Sequence, residues 1–374
     1  MDFIKNALRN AAEDYAHEMG VPRAVFNHIF PLDDENGNEY DPPTPPNEMH
    51  IPDSQQQHYG PTVYGQDGEE KQPLHYRLSQ ATGKRKAVLV GCNYPGTTAS
   101  LEGCVNDVFN IKRFLIEHFG YEERNIRVLT DSESSHGEIG EALPTRSNIV
   151  GYIRWLVEDA EPDDSLFFHF SGHGRQVTLL SFFWFGCRSS IVIFSNQKDL
   201  DGDEYDGMDE SICPTDYETA GVLVDDELHD ILVKPLPEGA GLTALFDSCH
   251  SGSVLDLPWT YETSGAIKEP DDLQGEAEDE AVAIDAHQKR FKWSPADVIS
   301  LSGCRDSQTS ADAQFGGLPS GALSYAFIRA FAKFPQMTYA QLLKTILNEL
   351  RGKFDQKPQL SSSHPIDMDM LFVQ

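Results

Sequence analysis

Short apolar segments alternate along this sequence with longer stretches of helical periodicity, and this alternation limits the folds that the chain can adopt. Five of the segments have five or six residues and the β-branched or aromatic content typical of buried parallel strands: 86–91, 126–130, 165–170, 242–247 and 297–302. A sixth strand is predicted at 368–373, and helices are predicted at 104–119, 145–160, 320–334 and 338–352. The alternation predicts an α/β fold, a mostly parallel six-stranded sheet with helices on both faces.

The composition argues against several classes of protein. The 29 basic and 60 acidic side chains give a formal net charge of −31, which argues against a general nucleic-acid binder. The six cysteines are widely spaced and form no CxxC pair, so we expect reduced thiols in a cytoplasmic or nuclear protein. The N-terminus lacks the apolar core of a signal peptide, and the apolar stretch 177–197 contains Arg188 and polar residues, so we expect no membrane association.

Residues 1–80 are predicted to form an N-terminal leader outside the main fold, a short amphipathic helix followed by a disordered linker. Pro, Gln, Gly and acidic residues dominate 31–75, where aliphatic residues are scarce. The folded domain is then expected to occupy 81–374, with an acidic flexible loop at 262–292.

Two short motifs stand at the ends of two predicted strands. SGHG (171–174) follows the third strand, and DSCHSG (247–252) begins at the end of the fourth. Functional residues collect at the carboxyl ends of parallel strands, so His173 and Cys249 are expected to meet. An imidazole within hydrogen-bond reach can keep a thiol deprotonated and can protonate a leaving amine. Each residue alone is commonly just a core or turn residue, but the pair predicts a cysteine nucleophile with a histidine partner.

These motifs resemble those of the metacaspases, caspase-like peptidases of fungi, plants and protists. Further stretches match in the same order: GCVNDV (103–108), CPTDYETAGVLVDDEL (213–228), SGCRDSQTSADA (302–313), SGALSYAFI (320–328) and QKPQLSSSHPID (356–367). The arrangement is similar to type I metacaspases, in which a large-subunit-like part (81–261), a linker loop (262–292) and a small-subunit-like part (293–374) share one chain. The resemblance implies a caspase-like three-layer fold and a monomer.

The resemblance also implies roles for individual residues. Cys249 and His173 would form the catalytic dyad, with the backbone N–H groups of Gly174 and Cys249 facing the oxyanion. The family cleaves proteins and peptides after Arg or Lys through an acidic S1 pocket, whose positions here are Cys104, Asp107, Ser171 and Asp247. Carboxylates beside the nucleophile suit a guanidinium or ammonium group and would repel an aspartate. The alternative for Asp247 is a turn-forming role at the strand end.

Many metacaspases depend on calcium, and the family's cation ligands correspond to Asp209, Asp225, Asp226 and Asp256. Oxygen ligands from several loops suit Ca²⁺ better than zinc. The acidic stretch 198–210 is not expected to be an EF-hand, because Glu204 stands where that loop needs Gly. The alternative for Asp225 and Asp226 is that they open a helix and favour its dipole.

The apolar stretch 177–197 does not fit the resemblance. Removing it would join GRQ to KDLDGDEYDGMDE, which is typical of the family. One hypothesis is a translated, unspliced intron that begins with Val177 and ends with Gln197. The other is a genuine hairpin with strands at 178–185 and 190–194. An apolar loop beside His173 could displace the dyad. A second hypothesis for function is therefore a catalytically impaired caspase-like scaffold, for instance one that acts in stress or aggregate handling. A calcium-binding module without hydrolysis is a third.

Self-processing is predicted in the linker loop. An enzyme that cleaves after Arg or Lys could cut itself around Lys84 to Lys86 and, within the loop, at Lys268, Lys289, Arg290 and Lys292. The alternative is that these basic residues serve only solubility.

Overall fold

The computed structural model describes residues 50–53, 55–59, 63–64, 70–71, 74–177, 209–249, 254–261, 292–303, 312–315, 318–351 and 358–374. The strands within these ranges are β1 (Gln56–Tyr59), β2 (Val63–Tyr64), β3 (Glu70–Lys71), β4 (Leu74–Arg77), β5 (Arg85–Gly91), β6 (Ile126–Thr130), β7 (Ser165–Ser171), β8 (Gly174–Val177), β9 (Asp209–Ile212), β10 (Leu223–Val224), β11 (Gly241–Asp247), β12 (Trp259–Tyr261), β13 (Asp297–Ser302), β14 (Asp312–Phe315), β15 (Leu318–Gly321) and β16 (Gln359–Ser362). The helices are α1 (Cys104–Phe119), α2 (Arg146–Val157), α3 (Tyr217–Ala220), α4 (Asp225–Leu228), α5 (Ala322–Lys333) and α6 (Tyr339–Leu350), with a 3₁₀ turn at Glu123–Asn125 and a π-helical turn at His229–Val233.

Seven of the described strands form the central sheet, in the order β12-β16-β13-β11-β7-β5-β6. The five strands from β13 to β6 are parallel to one another. β16 pairs antiparallel with both β13 and β12. Every residue of β7 and β13 is buried, as expected for strands that are covered on both faces. The predicted α/β fold with a mostly parallel sheet is confirmed, with one more strand than expected.

Two hydrophobic clusters lie on opposite faces of this sheet. In β5, Ala87 and Leu89 belong to one cluster, whereas Val88 and Val90 belong to the other. Successive side chains of a strand point to opposite faces, so each buried strand contributes to both clusters. Helices α1, α5 and α6 pack on the first face, and α2 with the segment 225–233 packs on the second.

The sixth predicted strand is in the wrong place. β16 lies at Gln359–Ser362, whereas 368–373 makes only isolated bridges at Met370 and Leu371. The apolar side chains of that segment serve helix packing, since the Phe372 ring lies 5.7 Å from Phe331. β16 carries buried serines and therefore no apolar signal for a strand.

Part of the expected leader packs on the folded domain. The ring of Tyr76 stacks on His364 with centroids 4.0 Å apart, and Leu78 is buried in the core. The backbone N–H of Ser79 donates to Asp297 at 2.9 Å. The described residues up to position 80 thus include core positions, although we expected the whole leader to lie outside the fold. The expected leader helix lies outside the described residues.

The helix ends follow local capping rules. The side chain of Thr145 accepts the N–H of Asn148 at the start of α2, as the sequence predicted. Thr338 and Gln341 form a reciprocal capping box at the start of α6. In the part of the chain that the structure describes, no helix is long and apolar enough to cross a membrane.

Candidate active site

The central sheet brings the two sequence motifs to one edge. β7 and β11 are parallel neighbours, and Ser171 lies opposite Asp247. His173 lies two residues after Ser171, and Cys249 lies two residues after Asp247. Parallel strands end on the same side of a sheet, so these two side chains leave the sheet at the same edge.

Gly174 shows how closely the two motifs approach each other. A Cβ at this position would overlap the carbonyl oxygen of Cys249 and would lie 3.3 Å from that of Ser211. Both obstacles are backbone atoms, so only glycine fits here. The two N–H groups that the resemblance assigns to the oxyanion, those of Gly174 and Cys249, therefore belong to residues in contact.

The imidazole of His173 is half-buried and is held from two sides. Its Nε2 lies 2.7 Å from the carbonyl oxygen of Ala99, which can only accept a hydrogen bond, so Nε2 carries the hydrogen. Nδ1 is then the nitrogen that can receive a proton. The ring of Tyr94 stacks on the imidazole at 4.8 Å, and its hydroxyl accepts the backbone N–H of His173 at 3.0 Å.

Tyr94 is itself fixed by buried hydrogen bonds. Its hydroxyl donates to the carbonyl of Cys213 at 2.6 Å, and its backbone N–H donates to Asp131 at 2.7 Å. Its φ angle of 49° lies in the left-handed region, which residues other than glycine rarely adopt. Strained residues of this kind are retained where the surrounding structure determines them fully, commonly beside functional sites.

Cys249 is the partly exposed thiol among the described cysteines, since Cys92, Cys104 and Cys213 are buried. Burial, opposed by Arg175 and reinforced by Cys249, raises the pKa of Cys213 to about 12. Burial likewise raises the pKa of Cys92 well above its usual range. A protonated, enclosed thiol is a poor nucleophile, so Cys249 is the described cysteine whose exposure best suits a reactive thiol.

A pair of buried carboxylates lies beside the motifs. Asp107, in the first turn of α1, accepts hydrogen bonds from the hydroxyls of Ser171 and Ser320 and from the backbone N–H of Gly321. Burial and the charge of nearby Asp247 raise the pKa of Asp107 to about 8, although these hydrogen bonds oppose the rise. The named donors are neutral, so they leave a net negative charge in this pocket when Asp107 is ionised.

Asp247 completes the pocket from the end of β11. One of its carboxylate oxygens accepts the backbone N–H of Ser324 at 2.7 Å. A Cβ at Gly321 would overlap this oxygen and would lie 2.7 Å from an oxygen of Asp107, so the glycine separates the two carboxylates.

Cys104, the fourth residue assigned to the S1 pocket, lies in the same corner. It begins α1, and its carbonyl oxygen would be 2.7 Å from a Cβ at Gly91. Gly91 lies opposite Ser171 across β5 and β7. The four predicted pocket residues are therefore close to one another.

The four aspartates assigned to a cation surround the start of α4. Burial and the charge of Asp256, with a smaller contribution from Asp209, raise the pKa of Asp225 well above its usual range. The ammonium of Lys292 contacts Asp226 and lies 3.0 Å from Asp256. No group of three or more His, Cys, Asp or Glu side chains is arranged to hold a metal among the described residues. The carboxylates offer the oxygen donors that Ca²⁺ prefers, but here the positive charge at this cluster comes from a lysine.

Comparison with known proteins identifies the family. Residues 84–368 match the model of the caspase domain. The chain is 47% identical over 351 residues to Metacaspase-1 of Cryptococcus neoformans var. neoformans serotype D (strain JEC21), covering 86% of this chain and 71% of the relative. It is 44% identical over 360 residues to Metacaspase-1 of Saccharomyces cerevisiae (strain S288c), covering 88% and 76%. The chain belongs to the type I metacaspases.

This metacaspase is therefore a cysteine-type peptidase with a caspase-like fold. Among solved structures, caspase-1 from Spodoptera frugiperda matches with a TM-score of 0.39 and 11% identity, over 80% of this chain and 92% of that chain.

Several residues that hold the metacaspase site were missed by sequence reasoning: Tyr94, Ala99, Ser320, Gly321 and Ser324. Tyr94 and Ala99 follow the first predicted strand in CNYPGTTAS, a polar, Gly- and Pro-containing loop at a carboxyl end, which is where site residues collect. Ala99 acts through its carbonyl, as Gly321 acts through its N–H, and a backbone contact leaves no side-chain signal to read.

Other predictions fall on residues outside the described ranges. These are the candidate cleavage sites Lys268, Lys289 and Arg290, the stretch 198–208 and the insertion after Val177. On either side of the insertion, β8 and β9 pair antiparallel with Val177 opposite Asp209. The strand that directly follows His173 therefore pairs with β9 even though the chain contains the insertion.

Proposed function

We propose that this metacaspase is a calcium-dependent endopeptidase that cleaves protein and peptide substrates after Arg or Lys, with Cys249 as nucleophile and His173 as its proton-transfer partner. The observation that carries the proposal is the placement of both motifs beside one buried carboxylate pair, Asp107 and Asp247.

The chemistry follows from the groups at the edge of the sheet. The Cys249 sulfur attacks the substrate carbonyl carbon while Nδ1 of His173 takes the thiol proton. The tetrahedral oxyanion accepts hydrogen bonds from the N–H groups of Gly174 and Cys249, each typically worth roughly 10²–10³ in rate. The carbon–nitrogen bond then breaks, and the imidazolium gives its proton to the leaving amine. A water molecule, deprotonated by the same imidazole, hydrolyses the thioester and regenerates the thiol.

Specificity for a basic residue is supported by the charge of the pocket. Asp107 and Asp247 are buried next to the motifs, and a guanidinium or ammonium group forms strong charge-assisted hydrogen bonds with carboxylates. An aspartate side chain would instead bring another negative charge into a buried site that is already acidic.

Calcium dependence is supported by the donor chemistry of the second cluster. Asp209, Asp225, Asp226 and Asp256 would hold the ion, which would neutralise the mutual repulsion of these carboxylates when bound. In this state the Lys292 ammonium already pairs with Asp226 and Asp256, so the ion and the lysine would compete for the same oxygens.

The ion pairs of Lys292 with Asp226 and Asp256 would limit self-processing at this lysine. The side chain of Lys292 is only 9% exposed while it is paired. Cleavage after Lys292 would require this side chain to leave the cluster and enter the S1 pocket. Lys268, Lys289 and Arg290 stay as predicted cleavage sites.

The test compares two fluorogenic peptides that differ only in having Arg or citrulline before the cleaved bond, each with calcium and with a chelator. We expect calcium-dependent cleavage of the Arg peptide, at least about a hundredfold weaker cleavage of the citrulline peptide, and no cleavage by Cys249→Ala. A chain lacking 177–197 is measured in parallel. If only the shortened chain cleaves, the impaired-scaffold hypothesis holds for the full chain. Equal cleavage of both peptides would refute the Arg/Lys specificity.

A further inference from the structure

We propose that Ser320 and Gly321 are specificity-determining residues, which hold the Asp107 and Asp247 carboxylates in the arrangement that accepts a basic side chain. The inference rests on the proposed Arg/Lys specificity and extends it to the small-subunit-like half of the chain. Neither residue supplies charge, so their effect on specificity comes from how they hold the residues that do.

The geometry joins the two halves of the chain at this pocket. Asp107 and Asp247 belong to α1 and β11, which precede the linker loop, whereas Ser320 and Gly321 belong to β15, which follows it. The Ser320 hydroxyl donates to one carboxylate oxygen of Asp107. The backbone nitrogen of Gly321 lies 2.9 Å from that oxygen and 2.8 Å from the other, so its N–H donates to both. The acidic side chains thus come from one half, and much of their hydrogen bonding comes from the other.

Gly321 must be a glycine for this arrangement to form. Its backbone lies between the two carboxylates, and a Cβ would lie 2.7 Å from Asp107 and would overlap Asp247. The obstacles are the charged ends of the two buried pocket side chains, so any larger residue at 321 would have to displace one of them.

The hydrogen bonds also determine whether the pocket carries charge. Two buried carboxylates repel each other, so at neutral pH one of them tends to keep a proton, and a protonated carboxyl attracts a cation weakly. The bonds from Ser320 and Gly321 favour ionised Asp107 and oppose the rise of its pKa. Removing the Ser320 hydroxyl should therefore leave the pocket protonated, and less attractive to Arg or Lys, over a wider pH range.

The test is Ser320→Ala, with Ser300→Ala as a matched control. Ser300 is a buried serine of β13 whose register position is opposite Ala244, three residues before Asp247 along the neighbouring strand. Both variants lose one buried hydroxyl, but only the first loses a donor to the pocket. We measure kcat and KM for the Arg and citrulline peptides between pH 6.5 and 9, with circular dichroism and thermal unfolding as checks of folding.

We expect Ser320→Ala to raise KM for the Arg peptide at pH 7 by about tenfold or more, the effect of one hydrogen bond to a charged group, with kcat changed by less than about threefold. The KM of the wild-type chain should fall as pH rises toward about 8, the pKa of Asp107, and in the variant this fall should move to higher pH. Gly321→Ala should lose most of the discrimination between the two peptides.

Three results would decide against the inference. A KM for Ser320→Ala within twofold of that for Ser300→Ala would overturn it. So would equal losses of kcat for both peptides with an unmoved pH profile, because that pattern indicates a structural role only. A folded Gly321→Ala variant that still discriminates Arg from citrulline like the wild type would overturn it too. If the wild-type chain itself fails to prefer Arg, the proposed specificity fails, and that outcome is visible before any variant is compared.

Discussion

At the scale of single residues, the site depends on close contacts between backbone atoms. The carbonyl of Cys249 lies directly against Gly174, and the carbonyl of Ala99 orients His173. Such contacts cannot relax by rotating a side chain, so small changes at these positions should affect the geometry of catalysis strongly. A displacement of about 1 Å in an active site can cost roughly a hundredfold in rate.

Gly174→Ala should lower kcat/KM for an Arg peptide by about a hundredfold or more, because the added methyl group must displace the Cys249 segment. Gly151→Ala is the matched control. Gly151 lies in α2 with open space around it, so the same added methyl group should leave activity unchanged and should stabilise the helix by about 1 kcal/mol. Steady-state kinetics and urea unfolding check both variants. Similar activity in the two would contradict the tight packing at Gly174.

Asp107→Asn should flatten the pH dependence of stability. The pKa of Asp107 is about 8 in the folded chain against an ordinary value of 3.8. Between these values the folded state binds more protons than the unfolded state, so the contribution of Asp107 to the free energy of unfolding falls as pH rises from about 4 to about 8. The asparagine variant lacks this contribution.

Urea unfolding at several pH values measures the effect of Asp107→Asn, with Asp369→Asn at an exposed position as the control. We expect a smaller loss of stability between pH 5 and 8 in the first variant than in the second. Parallel pH profiles would show that Asp107 ionises normally in the folded chain. The Asp107→Asn variant should also cleave the Arg peptide poorly, since it removes a carboxyl group that could ionise and pair with the basic side chain.

At the scale of elements, helix starts are stabilised by local hydrogen bonds that differ in extent. α6 begins with a reciprocal pair, in which Thr338 accepts the N–H of Gln341 and the Gln341 side chain accepts the N–H of Thr338. α2 begins with the single bond between Thr145 and Asn148. The first cap is buried and the second is half-buried.

Thr338→Ala should therefore destabilise the chain by roughly 1–2 kcal/mol, and Thr145→Ala by about 1 kcal/mol or less. The larger value reflects the loss of a reciprocal pair in a buried position, where an unmet N–H is costly. Urea unfolding gives both values. The slope of the unfolding free energy against urea concentration should stay unchanged, because neither substitution alters the surface exposed on unfolding. A smaller loss at Thr338 than at Thr145 would contradict this ranking.

At the scale of the whole molecule, Lys292 connects the end of the linker loop to the aspartates that the family resemblance assigns to a cation, Asp209, Asp225, Asp226 and Asp256. It is the last residue of the loop and pairs with Asp226 and Asp256, which come from the other half of the chain. An ion bound as proposed at these aspartates would compete with the lysine for their oxygens, so cation binding would be coupled to the position of this segment.

Lys292→Gln should lower the thermal midpoint without calcium, because the buried carboxylate of Asp256 loses a positive partner. With calcium, the variant should be stabilised more than the wild type, and should bind calcium about tenfold more tightly, since no ammonium competes for the oxygens. Thermal shift and titration calorimetry measure this in a Cys249→Ala background, which removes the proposed nucleophile.

The control for this prediction is Lys234→Gln, which removes an exposed ammonium paired with Asp230. Exposed pairs contribute little, so this variant should respond to calcium as the wild type does. An equal calcium response in Lys292→Gln and the wild type would show that the lysine and the ion do not compete.

The order and type of most elements could be predicted from the sequence, because their signals are local. Short apolar runs with β-branched or aromatic residues specified β5, β6, β7, β11 and β13, and capping residues marked the starts of α2 and α6. The two motifs at strand ends indicated His173 and Cys249, because the sequence alone gives the distance of each motif from the end of its strand.

Contacts between distant segments, made through groups that have no sequence signal, became visible only in the folded chain. β16 is a serine-rich strand whose place depends on pairing with β13 and β12. The support of His173 by Tyr94 and Ala99, the contacts of Gly321 with two carboxylates and the pairing of Lys292 with Asp256 join residues far apart in the chain. Backbone carbonyls, N–H groups and buried charges acquire partners only when the chain is packed, so the sequence determined the frame and the candidate chemistry, and packing decided how that chemistry is held.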